Sequence, residues 1–226
     1  MPLLGKLLRR FRAGEDKSPL SGHEYTTTAT IDITSPAFTN GGVIPQKHAG
    51  KGVGDNVSPA LQWTGVPADT KQLVLIMDDL DVPMPKPLMH TIAVIEPDVG
   101  GLAEGELKPG TTGVRLVKAF GATYVGPRPI PGHGPHHYRF LVFALDQKIP
   151  HSVADRKALL AAMAGHVLAR GVLTGTYERW LSPLGFRVRS RRAISGPTCP
   201  TAPASHRAAR AIRRATPSVR SASLSV

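Results

Sequence analysis

Cysteine is almost missing from this chain. Cys199 stands alone among 226 residues, which excludes an intrachain disulfide and a cysteine-based metal cluster. No apolar run reaches membrane-spanning length. The leucines near the N-terminus are broken by basic residues and no small-residue cleavage site follows them, so they do not read as a secretory signal. The expected location is cytoplasmic, with peripheral contact to a membrane as a further expectation.

Acidic residues are missing from the C-terminal stretch. Residues 187–226 carry nine arginines and no Asp or Glu, residues 1–17 carry five basic and two acidic side chains, and residues 18–186 carry fourteen of each. The formal charge of +12 therefore belongs to the ends. An uncompensated basic tail attracts a phosphate backbone without regard to sequence. Only the short pairs Arg191-Arg192 and Arg213-Arg214 occur, and no aromatic residue follows Trp180 and Phe186, which weighs against specific nucleic-acid binding. Large apolar residues are also too few beyond Trp180 for a second core, so residues 183–226 are expected to be a disordered Arg-rich tail.

Glycine and proline, by contrast, are plentiful, at 23 and 21 residues. With 41% hydrophobic residues they suit one sheet-rich domain with stiff loops, over residues 25–182. Residues 1–24 read as a basic extension. At 100° per residue, Leu3, Leu4, Leu7, Leu8 and Phe11 share an arc that excludes Lys6, Arg9, Arg10 and Arg12. Residues 1–12 thus have the pattern of an amphipathic helix suited to an anionic membrane surface, or of a helix docked on its own domain.

Strands are expected over Thr26–Ile33, near Trp63, over Leu73–Met77 up to Asp78-Asp79, and over Met89–Ile95, Gly113–Val117 and Tyr138–Leu145. A helix is expected from Ser152 to Leu168, capped by Ser152 with Asp155 three positions on and ended by Gly171. Val172–Tyr177 follows as a short edge strand. Pro127, Pro129 and Pro131 stiffen the loop from Gly126 to Gly132.

The chemistry gathers at two strand rims. Asp79-Leu80-Asp81-Val82-Pro83 precedes His90, and His133-Gly134-Pro135-His136-His137-Tyr138 opens the strongest strand. If that strand is regular, His136 and Tyr138 share one face and His137 points away. Imidazoles and a phenol donate hydrogen bonds to a small anion such as phosphate, with Asp79 orienting an imidazole. Because that carboxylate would repel a bare anion, a zwitterionic head group is an alternative ligand. Asp79, His90 and His136 also offer a three-ligand zinc set, but no local HExxH-like pair supports it, and no metal or cofactor is expected. No GxSxG or P-loop pattern occurs.

Together with Asn56-Val57-Ser58-Pro59-Ala60-Leu61-Gln62-Trp63 upstream, Tyr124-Val125-Gly126-Pro127-Arg128-Pro129, and Ala164-Gly165-His166 and Gly175-Thr176-Tyr177 downstream, these motifs resemble the phosphatidylethanolamine-binding protein family. The resemblance covers about residues 28–180 and is closest to the bacterial and archaeal, Raf kinase inhibitor-like branch. It implies a mainly β fold, a β-sandwich with a large antiparallel sheet and peripheral helices, and an anion-binding pocket. Asp79, His90, His136 and Tyr138 fall on ligand-binding positions. Asp81, Pro83, Tyr124, Gly126, Pro127, Pro129 and His137 fall on the rim. The implied function is non-enzymatic binding of a phosphorylated small molecule or phospholipid head group, with a protein partner regulated through it. The alternatives are a hydrolase of small esters or phosphoesters, and a kinase or protease inhibitor. Leu80, Val82, Met89, Ile130 and His137 depart from the usual residues; Met89 and His137 are expected to alter pocket specificity, with Arg139 as a candidate replacement charge.

Overall fold

The computed structural model describes residues 2–180; the Arg-rich tail and Cys199 lie outside the described residues. Eight strands form two antiparallel sheets. β1 (Asp32–Thr34), β2 (Leu61–Thr64) and β5 (Gly101–Leu102) make the small one. β3 (Gln72–Asp79), β4 (Leu88–Ile95), β6 (Val114–Val117), β7 (His136–Leu145) and β8 (Val167–Tyr177) make the large one, in the order β6-β4-β3-β7-β8.

The large sheet is covered on both faces, which explains why Leu73–Met77 is an unbroken apolar run within β3 and why every residue of that strand is buried. On one face Leu73, Leu75, Met77, Phe140 and Val142 pack with Ile33, Leu61 and Trp63 of the small sheet. On the other, Val74, Ile76, Leu141 and Phe143 pack with Leu20, Tyr25, Leu159 and Met163. The second group comes from the N-terminal 3-10 turns and from α2 (Arg156–Met163). Fully burying each of these aliphatic or aromatic side chains is worth roughly 1.5–3 kcal/mol, so the two faces together define the core.

The helix is shorter than the pattern predicts. Its N-cap is Asp155, whose Oδ1 accepts the Ala158 N–H at 2.9 Å, and Gly165 with φ 78° turns the chain out of it. Gly171 ends no helix. It sits within the eleven-residue β8, where a Cβ would collide with the Ile31 carbonyl. That close approach closes the sheet edge: Ile31 N–H donates to the Arg170 carbonyl and Ile44 N–H to that of Thr176. The expected strand over Thr26–Ile33 correspondingly shrinks to β1 and one bridge at Thr30, because this segment follows the β8 edge rather than lying within a sheet. Gly171→Ala is expected to lower stability by about 1–3 kcal/mol in a urea titration; an unchanged midpoint would mean that the Ile31 segment yields freely.

An ordered start at Tyr25 is also too late. α1 (Pro2–Leu8) is followed by Ala13 and Gly14, whose N–H groups donate to the carbonyls of Val82 and Leu80, and by Glu15, which pairs with Arg139. No helix of the described residues is long and apolar enough to cross a membrane.

Candidate functional site

Strand register decides which charged groups meet. In the β3–β7 ladder Asp78 faces Arg139 and Asp79 faces Tyr138, and directly opposed residues share a face. Asp78 and Arg139 therefore lie on the helix side, where Nε and Nη2 of the arginine donate to the two carboxylate oxygens at 3.0 and 2.7 Å. Arg139 is thus committed to Asp78 and Glu15 and supplies no charge to the pocket face. Asp79, Tyr138 and His136 lie on the opposite face.

His90 reaches that face only through a β-bulge. The β3–β4 register runs Met77↔Thr91 and then Asp78↔Met89, leaving His90 unpaired. In a regular ladder His90 would oppose Asp78 and point to the helix side. The extra residue reverses the parity. His90 Nε2 stands 4.0 Å from Asp79 Oδ2, and Met89 turns into the helix-side core. Met89 therefore does not alter the pocket, contrary to the expectation from its sequence position.

A cleft of about 520 Å³ opens over these residues. Asp79, His90 and His136, all buried, form its floor. Val82, Met84, Leu88, Phe120 and Ile130 give it apolar walls, and the exposed Lys51 and Arg128 give it a cationic margin. Among the predicted rim residues Pro83, Tyr124, Gly126 and Pro129 line the cleft, whereas Asp81, Pro127 and His137 do not. Tyr138 is fully buried beneath the floor, edge-on to His90 at 5.5 Å and stacked on His136 at 6.2 Å between ring centroids. Burial and the nearby Asp79 push its phenol far up, so it stays protonated.

Asp81 serves the outside of the site. It pairs with Arg12 at 2.5 Å and accepts the backbone N–H and Nδ1 of His137 at 2.6 and 2.7 Å. Burial pushes its carboxyl up, but these donors outweigh burial and hold it below the usual carboxylate range. His137 is half-exposed on the far face of β7, so it too is outside the pocket.

The floor continues as a hydrogen-bonded chain that sequence reasoning missed. Asp79 Oδ2 lies 2.8 Å from His136 Nδ1, His136 Nε2 lies 2.8 Å from His133 Nδ1, and His133 Nε2 lies 2.8 Å from the Leu8 carbonyl. The carbonyl only accepts, so His133 Nε2 carries a proton. The other two contacts require a proton each, giving three for two imidazoles that hold two when neutral. The cluster therefore carries a third proton, which balances the Asp79 carboxylate. Burial, reinforced by His136 and Arg12, pushes His133 below the ordinary imidazole range against the pull of the Leu8 carbonyl. Both ring nitrogens of His136 are thus engaged, Nδ1 by Asp79 and Nε2 by His133.

His90 has a different state. Its Nδ1–H donates to the Val125 carbonyl at 3.1 Å, and burial pushes its pKa down against the opposing pull of Asp79. The neutral ring thus has a bare Nε2, buried and without a partner. The Val125 N–H donates to Thr91 Oγ1, and Asn56, held at φ 58°, bonds the Tyr124 carbonyl and the Gly126 N–H, which anchors the start of the proline loop.

Both depressed histidines affect stability in the same direction. The unfolded chain binds their protons from about pH 6.5 downward, before the folded state does. Stability is therefore full above that pH and declines as pH falls toward the lowered folded values. Thermal melts from pH 6.5 to 5 are expected to show a falling Tm, because over that range uptake by the unfolded histidines exceeds the one proton already held by the folded Asp79 cluster, and a flat profile would contradict this assignment.

The fold has counterparts among known proteins. Residues 34–178 match the family described as phosphatidylethanolamine-binding protein. The UPF0098 protein PH1269 of Pyrococcus horikoshii is 40% identical over 152 residues, spanning 64% of this chain and 75% of that protein. A UPF0098 protein of Chlamydia muridarum is 36% identical over 155 residues, spanning 66% and 99%. Among solved structures, the phosphatidylethanolamine-binding protein homolog CT736 of Chlamydia trachomatis aligns with TM-score 0.60 and 32% identity, over 67% of this chain and 99% of that one. E. coli YbcL aligns with TM-score 0.61 and 29% identity, over 66% and 99%. With its two antiparallel sheets and the matched motifs, the chain belongs to the phosphatidylethanolamine-binding protein family, in its bacterial and archaeal branch.

Proposed function

We propose that the cleft binds, without catalysis, a phosphate-bearing small molecule with an apolar portion, a phospholipid head group being the model. The observation that carries this reading is the buried, unpartnered Nε2 of His90 on the cleft floor. Leaving such a group unsatisfied costs about 1–3 kcal/mol, which a ligand oxygen relieves once the nitrogen is protonated.

The surrounding charges fit an anion. The third proton of the His133–His136–Asp79 chain cancels Asp79, the only carboxylate among the described residues that line the cleft, so Asp79 does not repel phosphate. Lys51 and Arg128 stand at the margin, and the apolar walls suit the non-phosphate part of the ligand. Thr123 supplies a hydroxyl at the cleft but makes no hydrogen bond to a base among the described residues, which favours a receptor over a hydrolase with a threonine nucleophile. A protein partner would then read the occupied rim.

Isothermal calorimetry with inorganic phosphate and phosphoethanolamine, against an uncharged control, tests the proposal. Wild type is expected to bind both saturably, and His90→Ala/His136→Ala to weaken binding by about two orders of magnitude: the charge-assisted hydrogen bond of His90, at roughly 1.5–3 kcal/mol, is lost, and without His136 nothing offsets the Asp79 carboxylate beside the anion. Equal affinity in the folded double variant would sink the assignment.

A further inference from the structure

The N-terminal segment leaves Leu4, Leu7 and Phe11 of its apolar stripe exposed, with Leu8 partly buried. Gly5 faces inward, where a Cβ would collide with the Pro131 carbonyl, so the helix backbone lies directly on the proline loop. Arg9 Nε donates to the Gly132 carbonyl at 2.9 Å, and Arg12 Nη1 donates to the Pro135 carbonyl at 2.8 Å. The His133 ring holds the Leu8 carbonyl. Glycine and arginines thus face the protein, and the greasy side chains face out: Leu4 is 43% exposed, Leu7 74% and Phe11 63%. A helix that merely capped the domain would have the opposite polarity.

We infer that this face is a docking surface for an anionic lipid bilayer, seated beside the cleft mouth. Three features select that occupant. Lys6 and Arg10 are exposed beside the stripe and make no ion pair among the described residues, and no acidic residue occurs before Glu15, so the surface is apolar with a purely cationic border. That pairing matches acyl chains beneath anionic head groups. The segment is also anchored to the two loops that wall the cleft, through Val82 on one side and residues 131–135 on the other. Finally, the cleft walls carry their own exposed apolar side chains, Met84 at 50% and Phe120 at 61%. A bilayer engaging the helix would therefore lie close to the site that takes a phosphate-bearing ligand. The docking surface stands without the pocket reading, and the two fail separately.

Flotation of the full chain with vesicles of equal parts phosphatidylglycerol and phosphatidylcholine, at 150 mM salt as about physiological ionic strength, tests the inference. Pure phosphatidylcholine vesicles serve as the control. Wild type is expected to float with the anionic vesicles only. Leu4→Gln/Leu7→Gln/Phe11→Gln, which alters exposed positions and keeps every charge, is expected to cut partitioning by about tenfold or more while leaving phosphate calorimetry unchanged. Unaltered flotation of the triple variant would overturn the inference and assign vesicle binding to the basic residues alone. Absence of wild-type flotation would overturn it too; if wild type then self-associates and the triple variant does not, the stripe is a protein interface.

Discussion

Arg139→Met is expected to destabilise the protein by about 3–5 kcal/mol, the usual cost of stranding a buried charge. Asp78 is fully buried, and Arg139, at 5% exposure, contributes the bidentate pair that satisfies both its oxygens. The methionine fills much of the arginine stem's volume, so the loss comes chiefly from the orphaned carboxylate. Asp78→Asn/Arg139→Met should recover much of the deficit because the charge is removed with its partner. Glu15→Gln, at the exposed end of the same arginine, should cost less than about 1 kcal/mol. Urea titration of the three variants checks this ordering. An Arg139→Met midpoint equal to wild type would show that Asp78 is relieved in some other way.

The second large effect is on pH. In the free protein His90 is neutral with a bare Nε2, so an anion that accepts a hydrogen bond there must bring a proton with it. Sulfate is the useful probe because it does not titrate in this range and stands in for the phosphate dianion. Its Kd is expected to fall as pH falls from 8 toward the depressed pKa of free His90, by up to about tenfold per pH unit. The sign follows from proton uptake: the bound state holds more protons, so binding strengthens with acidity until free His90 is itself protonated. Calorimetry in two buffers of different ionisation enthalpy should register the uptake of about one proton per sulfate, and His90→Gln should abolish the slope. Binding without proton uptake would remove His90 from the ligand's coordination.

Much of the architecture was legible locally. The β-branched and aromatic run Tyr138-Arg139-Phe140-Leu141-Val142-Phe143 marks a central strand, and period-two alternation along it puts His136 and Tyr138 on one face and His137 on the other. The ordered motifs from Asn56 to Tyr177 identify the family. The errors have local causes as well. Ser152 resembles a helix cap because Asp155, the actual cap, lies only three residues further on. Gly171 resembles a helix end because a glycine required by the passing Ile31 backbone looks, in one dimension, like a stop.

By itself, then, the sequence determined the strands, the faces of β7 and the family, because side-chain alternation and motif order are properties of neighbouring residues. Tertiary structure decided the chemistry of the floor. His90 reaches Asp79 because β4 pairs with β3 one residue out of step, and a bulge exists only in the pairing of two strands. The third proton belongs to a chain from Asp79 through His136 and His133 to Leu8, spanning residues up to 128 apart in number. Leu4 and Leu7 face outward because Arg9 and Arg12 find carbonyl and carboxylate partners on the opposite side and Gly5 lets the helix backbone lie on the Pro131 carbonyl. Hydrophobic periodicity records that a face is apolar; only the contacts made by the opposite face decide which way it turns.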